Sequence, residues 1–145
     1  MLLGDDLALK GAMIRPGSVF RMPLTEEDGI TPKGGYSTRV KYFVIAGVDK
    51  EGNYVGVSLI NTDVNIRFAR MIAPFQLCIY PDRYSFLNGK YRYVDCYSIK
   101  HINRLRILQE AKYIAQLEEM DLDKVKRLLK ASPTMDAKTI QQYGL

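Results

Sequence analysis

Tryptophan is absent from this chain of 145 residues, histidine occurs once and cysteine twice. A zinc site takes about four ligands, and one imidazole (His101) with two thiols (Cys78, Cys96) and no CxxC pair cannot supply them. Both cysteines stand in apolar or strand-like surroundings, Leu77-Cys78-Ile79 and Val94-Asp95-Cys96-Tyr97. They read as buried thiols in a reducing, cytoplasmic setting, and a Cys–His nucleophile is not expected. No apolar run approaches the ~20 residues that span a bilayer, so no membrane association is expected. The opening Met1-Leu2-Leu3-Gly4-Asp5-Asp6 lacks the basic and then apolar stretches of a secretory signal. The P-loop, GxGxxG, GxSxG and HExxH signatures are all missing, and neither a cofactor nor a metal is expected.

What is present is an ordinary globular composition, 47% hydrophobic and 26% charged, at a length that can close one core. The formal net charge is +5. Much of the excess falls between Arg83 and Lys112, where Lys90, Arg92, Lys100, Arg104 and Arg106 meet only Asp95 and Glu110. Tyr84, Tyr91, Tyr93 and Tyr97 are interleaved with them. Two readings stand side by side. Cations and rings together can hold nucleic acid, by phosphate attraction and base stacking. Equally, Lys and Arg can protect a solvated strand edge while the tyrosines pack inward.

Patterning along the chain is mainly β, with helices at the C-terminal end. Residues 1–15 read as an arm or short helix. Pro16-Gly17 opens a strand, Ser18–Met22, expected to stop at Pro23, which cannot donate to a ladder. A turn-rich loop covers residues 24–38. The strongest β signal is the pair Val40–Val48 and Tyr54–Thr62, joined by Asp49-Lys50-Glu51-Gly52-Asn53. Its near-continuous apolar runs predict a central hairpin buried on both faces. Further strands are expected at 75–80, 91–96, within 99–108 and at 113–115. Residues 66–73 read as helix or loop. A helix capped by Asp121 and a last helix from Asp136 to Tyr143, stopped by Gly144, close the chain. The expected domain organisation is a barrel domain with its closing helix over 16–131, followed by a short helix within 132–145. Five to seven short antiparallel strands before terminal helices predict a small, closed, SH3-like β-barrel.

Within that frame one constellation can carry chemistry. Arg39 and Lys41 are two residues apart, so both leave the same face of their strand. Lys33 and Ser37 precede them on the loop, and Asn61, Thr62 and Asn65 end the facing strand. A tight turn at Gly52 makes residues near 41 and 61 cross-strand neighbours, which gathers cations with amide and hydroxyl groups at one sheet end. The plain alternative is that Arg39 and Lys41 are simply the wet face of a strand whose other face is core.

The order Pro16-Gly17-Ser18-Val19-Phe20, a long loop with Lys33-Gly34-Gly35, then Lys41-Tyr42-Phe43-Val44-Ile45 and a strand ending Ile60-Asn61-Thr62 resembles the MazF/PemK/Kid toxin family. The closing Leu117–Val125 segment is similar to that family's last helix, and the likeness spans roughly residues 16–131. The resemblance implies an SH3-like barrel, a homodimer and a cognate antitoxin peptide. It further implies metal-independent cleavage of single-stranded RNA by attack of a ribose 2′-OH on the adjacent phosphate. That chemistry needs a proton acceptor, a donor to the leaving oxygen, and cations for the charged intermediate. Carried over, the family's strand arginine becomes Lys41 and its threonine becomes Asn61, with Thr62 beside it, while Tyr42 replaces a proline. Lysine is a point charge without the guanidinium fork, and an amide does not exchange a proton usefully. Arg39 can supply the guanidinium and Thr62 the hydroxyl, so Lys41, Arg39 and Thr62 are the expected catalytic set. Lys33, Ser37, Asn61 and Asn65 are the expected RNA contacts. The other readings are a non-catalytic barrel that binds RNA or a partner protein through the same groove, and an interaction module holding a peptide there.

Overall fold

A computed structural model describes residues 3–31, 34–62 and 69–145. Its elements are α1 (Leu3–Ala12), β1 (Ser18–Thr25), β2 (Thr38–Val48), β3 (Tyr54–Asn61), α2 (Ala69–Ile72), β4 (Gln76–Ile79), β5 (Arg92–Asp95), β6 (Lys100–Asn103), α3 (Arg104–Glu110), β7 (Lys112–Gln116), α4 (Glu119–Ala131) and α5 (Ala137–Tyr143). The described strands form one antiparallel sheet in the order β4-β5-β3-β2-β1-β7. β3 is lined on its far edge first by β6 and then by β5, because residues 96–99 carry the chain from one to the other.

The long β2–β3 hairpin sits mid-sheet and is buried on both faces, as its apolar runs predict. One face contributes Phe43, Ile45, Val55, Val57 and Leu59 to a core with Phe20, Met22, Leu24, Ile102 and Ile107. The other contributes Val44, Ala46 and Ile60 to a second core closed by Val125 and Leu129 of α4 with Tyr84 and Leu87. Each fully buried aliphatic or aromatic side chain is worth roughly 1.5–3 kcal/mol, so this hairpin anchors the fold from both sides.

Three expectations need correcting. The sheet is barrel-like but not closed: β4 and β7 end its hydrogen-bonded path. β1 does not stop at Pro23 but runs to Thr25, with Pro23 opposite Val40. β7 leaves off opposite Arg21, and the Pro23 carbonyl accepts from Arg106. A residue's N–H and C=O point the same way along a strand, so the missing donor faces an edge no strand occupies. The strand expected within 99–108 is there as Lys100–Asn103, and the chain then turns into α3. The Asn103 side chain accepts from the Leu105 N–H at 2.8 Å and caps α3. Finally, α4 begins at Glu119 rather than after Asp121.

Two local devices hold the turn end of this frame. At the hairpin turn, the Asp49 carboxylate accepts from the N–H groups of Asn53 and Tyr54 at 2.9 and 3.2 Å. Beside it, the cross-strand pair Gly47 and Gly56 leaves a bare patch for Tyr143 of α5. A Cβ on Gly47 would collide with the Tyr143 backbone, and one on Gly56 with the Tyr143 ring and Ile99. Tyr143 also hydrogen-bonds Nδ1 of His101 through its hydroxyl at 2.5 Å. Burial pushes the Tyr143 phenol up to about 12, aided by Asp49 and Tyr54.

Candidate nucleic-acid interface

The open end of the β2–β3 hairpin is its polar end. The register Tyr42↔Ile60 makes Lys41 and Asn61 the next pair along, and the Lys41 Nζ donates to Asn61 Oδ1 at 2.6 Å. Arg39, two residues earlier, donates from Nη1 to the Thr31 carbonyl at 3.1 Å, which tethers the preceding loop to the strand. A cleft of about 230 Å³ opens here, lined by Arg39, Lys41 and Thr62 together with Tyr42 and Ile60. Its opposite wall is the turn Phe86-Leu87-Asn88, and Arg92 closes its side.

That wall is fixed by burial and by one hydrogen-bonded knot. Tyr84 donates to Asp121 Oδ2 at 2.5 Å and accepts from the Glu118 N–H at 3.0 Å. Arg83 adds an ion pair to Asp121 at 3.5 Å. Burial, then the Asp121 carboxylate, holds the Tyr84 phenol far above its ordinary value, so it stays a donor at every working pH. The knot ties the Phe86–Asn88 turn to the first turn of α4. Asn88 sits there in the left-handed region at φ 54°, followed by Gly89 at φ 76°. On the other wall the Tyr42 ring lies between Phe86, at 5.8 Å between ring centroids, and the Arg21 guanidinium, 6.0 Å from its centroid.

The expected site residues therefore divide. The structure brings Arg39, Lys41 and Thr62 into one cleft, with Asn61 held by Lys41. Ser37 is exposed ahead of β2 and does not line it. Lys33 and Asn65 lie outside the described residues. Arg92 and the Phe86–Asn88 wall are absent from the set picked out by sequence. Arg92 belongs to the basic, Tyr-rich segment, and Asn88-Gly89 is a plain turn signal, but their distance along the chain hides their approach to Lys41. Other members of that basic segment are held in structural contacts. Arg106 pairs with Asp28 at 2.5 Å and with Glu110 at 3.1 Å, and Arg104 donates to the Gly11 carbonyl.

No acidic side chain and no imidazole lines the cleft among the described residues, since His101 is spent on Tyr143 at the other end of the hairpin. Burial pushes the Cys96 thiol far up, with Asp95 adding to it, and burial raises that of half-buried Cys78. Both are free cysteines, held as neutral thiols. Among the described residues no three His, Cys, Asp or Glu side chains group to hold a metal ion. No helix among them is long and apolar enough to cross a membrane. The arrangement can bind an anion through Arg39, Lys41 and Arg92, and its lining includes the Tyr42 ring, the Thr62 hydroxyl and the Asn88 amide.

No protein-family model matches the chain, and no curated protein matches it. The fold, by contrast, has a counterpart among solved structures. A chain of the crystal structure of MazE-MazF (Form-III) from Deinococcus radiodurans superposes with a TM-score of 0.51 at 12% identity. The match covers 84% of this chain and 97% of that one. At that identity the likeness speaks for the fold, which is MazF-like.

Proposed function

We propose that this chain is a MazF/PemK-like toxin component whose cleft binds single-stranded RNA and cleaves it without metal. The observation that carries the reading is the Lys41–Asn61 pair set beside Arg39, Thr62 and Arg92 in one cleft, on a fold shared with a MazE-MazF structure. Three cations around one small cavity suit a phosphodiester that gains negative charge as the 2′-OH attacks. Preorganised charge of this kind is commonly the largest single contribution to such a reaction. In this reading Lys41, oriented by Asn61, and Arg39 stabilise the charged phosphorane, while Thr62 is the hydroxyl at the reacting end. Ser37, Asn61 and, beyond the described residues, Lys33 and Asn65 contact the RNA. A second copy of the chain and an antitoxin peptide are the partners this reading brings with it.

The test is long single-stranded RNA incubated with purified protein in EDTA. Defined fragments ending in 2′,3′-cyclic phosphate are expected. Lys41→Ala and Arg39→Ala should each lower the rate roughly 10²–10³-fold, the cost of removing one preorganised donor. Intact RNA from a folded, antitoxin-free protein overturns the cleavage reading. The second reading, a non-catalytic RNA-binding barrel, is favoured by one feature: among the described residues the cleft offers neither carboxylate nor imidazole to take the 2′-OH proton. Salt-dependent retention of RNA without cutting would select it.

A further inference from the structure

The register places one row of side chains across four strands. Lys41 pairs with Asn61 through their hydrogen bond, Asn61 lies opposite Tyr93 of β5, and Tyr93 lies opposite Cys78 of β4. Directly paired residues share a sheet face, so Tyr93 continues the Lys41–Asn61 face. Two residues further along the same face come Tyr91 and Tyr80, next in register beyond Arg92 and Ile79. Their rings meet edge to face, with centroids 5.5 Å apart and planes at 83°. They are 58% and 47% exposed, an adjacent pair of wet aromatic rings. Two strand spacings put Tyr93 about 10 Å from Lys41, and Tyr91 lies about 7 Å beyond it. Arg92, between the two tyrosines, lines the cleft.

The charge around these rings is mixed. Neither Lys90 nor Arg92 forms an ion pair among the described residues. Of the nearby acids, Asp95 is occupied by Gln76 and the Tyr97 N–H, and Asp82 stands in the turn after β4. Lys90 and Arg92 alternate with these tyrosines and leave the opposite face. The rings, however, continue the face that carries Lys41 and Asn61, and an exposed ring pair there suits the bases of a strand whose phosphate lies in the cleft better than a peptide. Bases stack on such rings whatever their sequence, while the phosphate of the same strand is drawn to the cleft cations, Lys41 among them on the ring face.

We propose that the Tyr93–Tyr91–Tyr80 face of the β4–β5 ribbon is a stacking platform for the bases of single-stranded RNA that extend beyond the cleft. This rests on the reading of the cleft as an RNA site and adds to it the path of the strand outside the reacting phosphate.

The experiment is a length series of labelled oligoribonucleotides, 2′-fluoro-substituted throughout to block cleavage while keeping RNA-like sugar geometry, titrated by fluorescence anisotropy at low salt. The native protein should gain affinity as the oligonucleotide outgrows the cleft. The Tyr80→Ala, Tyr91→Ala double variant should lose roughly 10- to 100-fold for the long oligonucleotides and little for the shortest. Tyr80→Phe, Tyr91→Phe keeps the stacking surfaces and should bind like the native protein. Short-oligonucleotide binding that depends on Lys41, with a length gain untouched by the double alanine variant, overturns the platform alone. An equal loss in the phenylalanine variant also overturns it, because the hydroxyls would then carry the contact. No binding of any length by the folded native protein overturns the cleft reading as well.

Discussion

The two ends of the β2–β3 hairpin are built from the same ladder and do opposite things. At the turn end, Gly47 and Gly56 have no side chains, Tyr143 lies on the patch they leave, and His101 and Asp49 tie the surroundings down. At the open end, Arg39, Lys41, Asn61 and Thr62 are half-buried or exposed, and Val40 between them is 59% exposed. Stability resides where both faces are covered, and the uncovered end is left with polar groups whose substitution costs the fold little. Separation of this kind lets a small domain carry a wet, charged cleft on a scaffold held elsewhere.

The largest effect expected from that comparison is at the turn end. Gly47→Val drives a side chain into the Tyr143 backbone and should destabilise by about 3 kcal/mol, read as a lower urea midpoint. Limited proteolysis should then release the segment from Ala137 onward, while the proposed RNA binding at the open end survives in the folded fraction. A native midpoint would show that α5 does not press on the hairpin as described.

Next comes the loop that feeds the open end. Asp28 accepts from the Thr25 N–H and hydroxyl and from Arg106, and Arg106 also reaches the Pro23 carbonyl. Burial acts to raise the Asp28 value, but Arg106 and Thr25 outweigh it and leave the carboxyl below its ordinary 3.8. In the unfolded chain Asp28 therefore binds its proton at higher pH than in the folded one. Its contribution is complete above the ordinary carboxylate range and is lost as pH falls through the depressed folded value. Asp28→Asn should cost about 2 kcal/mol at pH 7, the scale of a charge-assisted hydrogen bond, and the gap to the native protein should shrink in acid. Thermal melts at pH 7 and pH 3 check it; a gap that widens in acid would refute the assignment.

The smallest effect lies between the two ends. Ser58 of β3 is fully buried, and its hydroxyl has no hydrogen-bond partner among the described residues. Ser58→Ala should be neutral or stabilise by about 1 kcal/mol, since it removes a desolvated polar group without opening a large cavity. A clear loss of stability would mean that the hydroxyl has a partner after all.

Legibility followed the range of the interactions. The hairpin could be read because an apolar run, a turn rich in Asp, Gly and Asn, and a second run are contiguous in the chain. The same contiguity makes Lys41 and Asn61 neighbours once the turn is placed, and the structure joins them at 2.6 Å. The last helix was legible in the same way, with Asp136 accepting from the Thr139 N–H at its start and Gly144 at its end. Segment 99–108 was legible in part: a strand was expected somewhere within it, and the local pattern did not say where that strand gives way to a helix. There the decision fell to the Asn103 cap and to Ile107 entering the core.

By itself, then, the sequence determined the strands whose two faces are both apolar, the caps that start and stop the last helix, and the pairing at the hairpin's open end. These depend on residues within one turn or one hairpin of each other, where backbone geometry leaves few choices. Only the tertiary structure decided that Arg92 and the Phe86–Asn88 turn wall the cleft, that Arg106 serves Asp28 and Arg83 serves Asp121, and that the sheet stays open between β4 and β7. Those outcomes depend on which distant surfaces can cover one another, and a local pattern of residues carries no record of that.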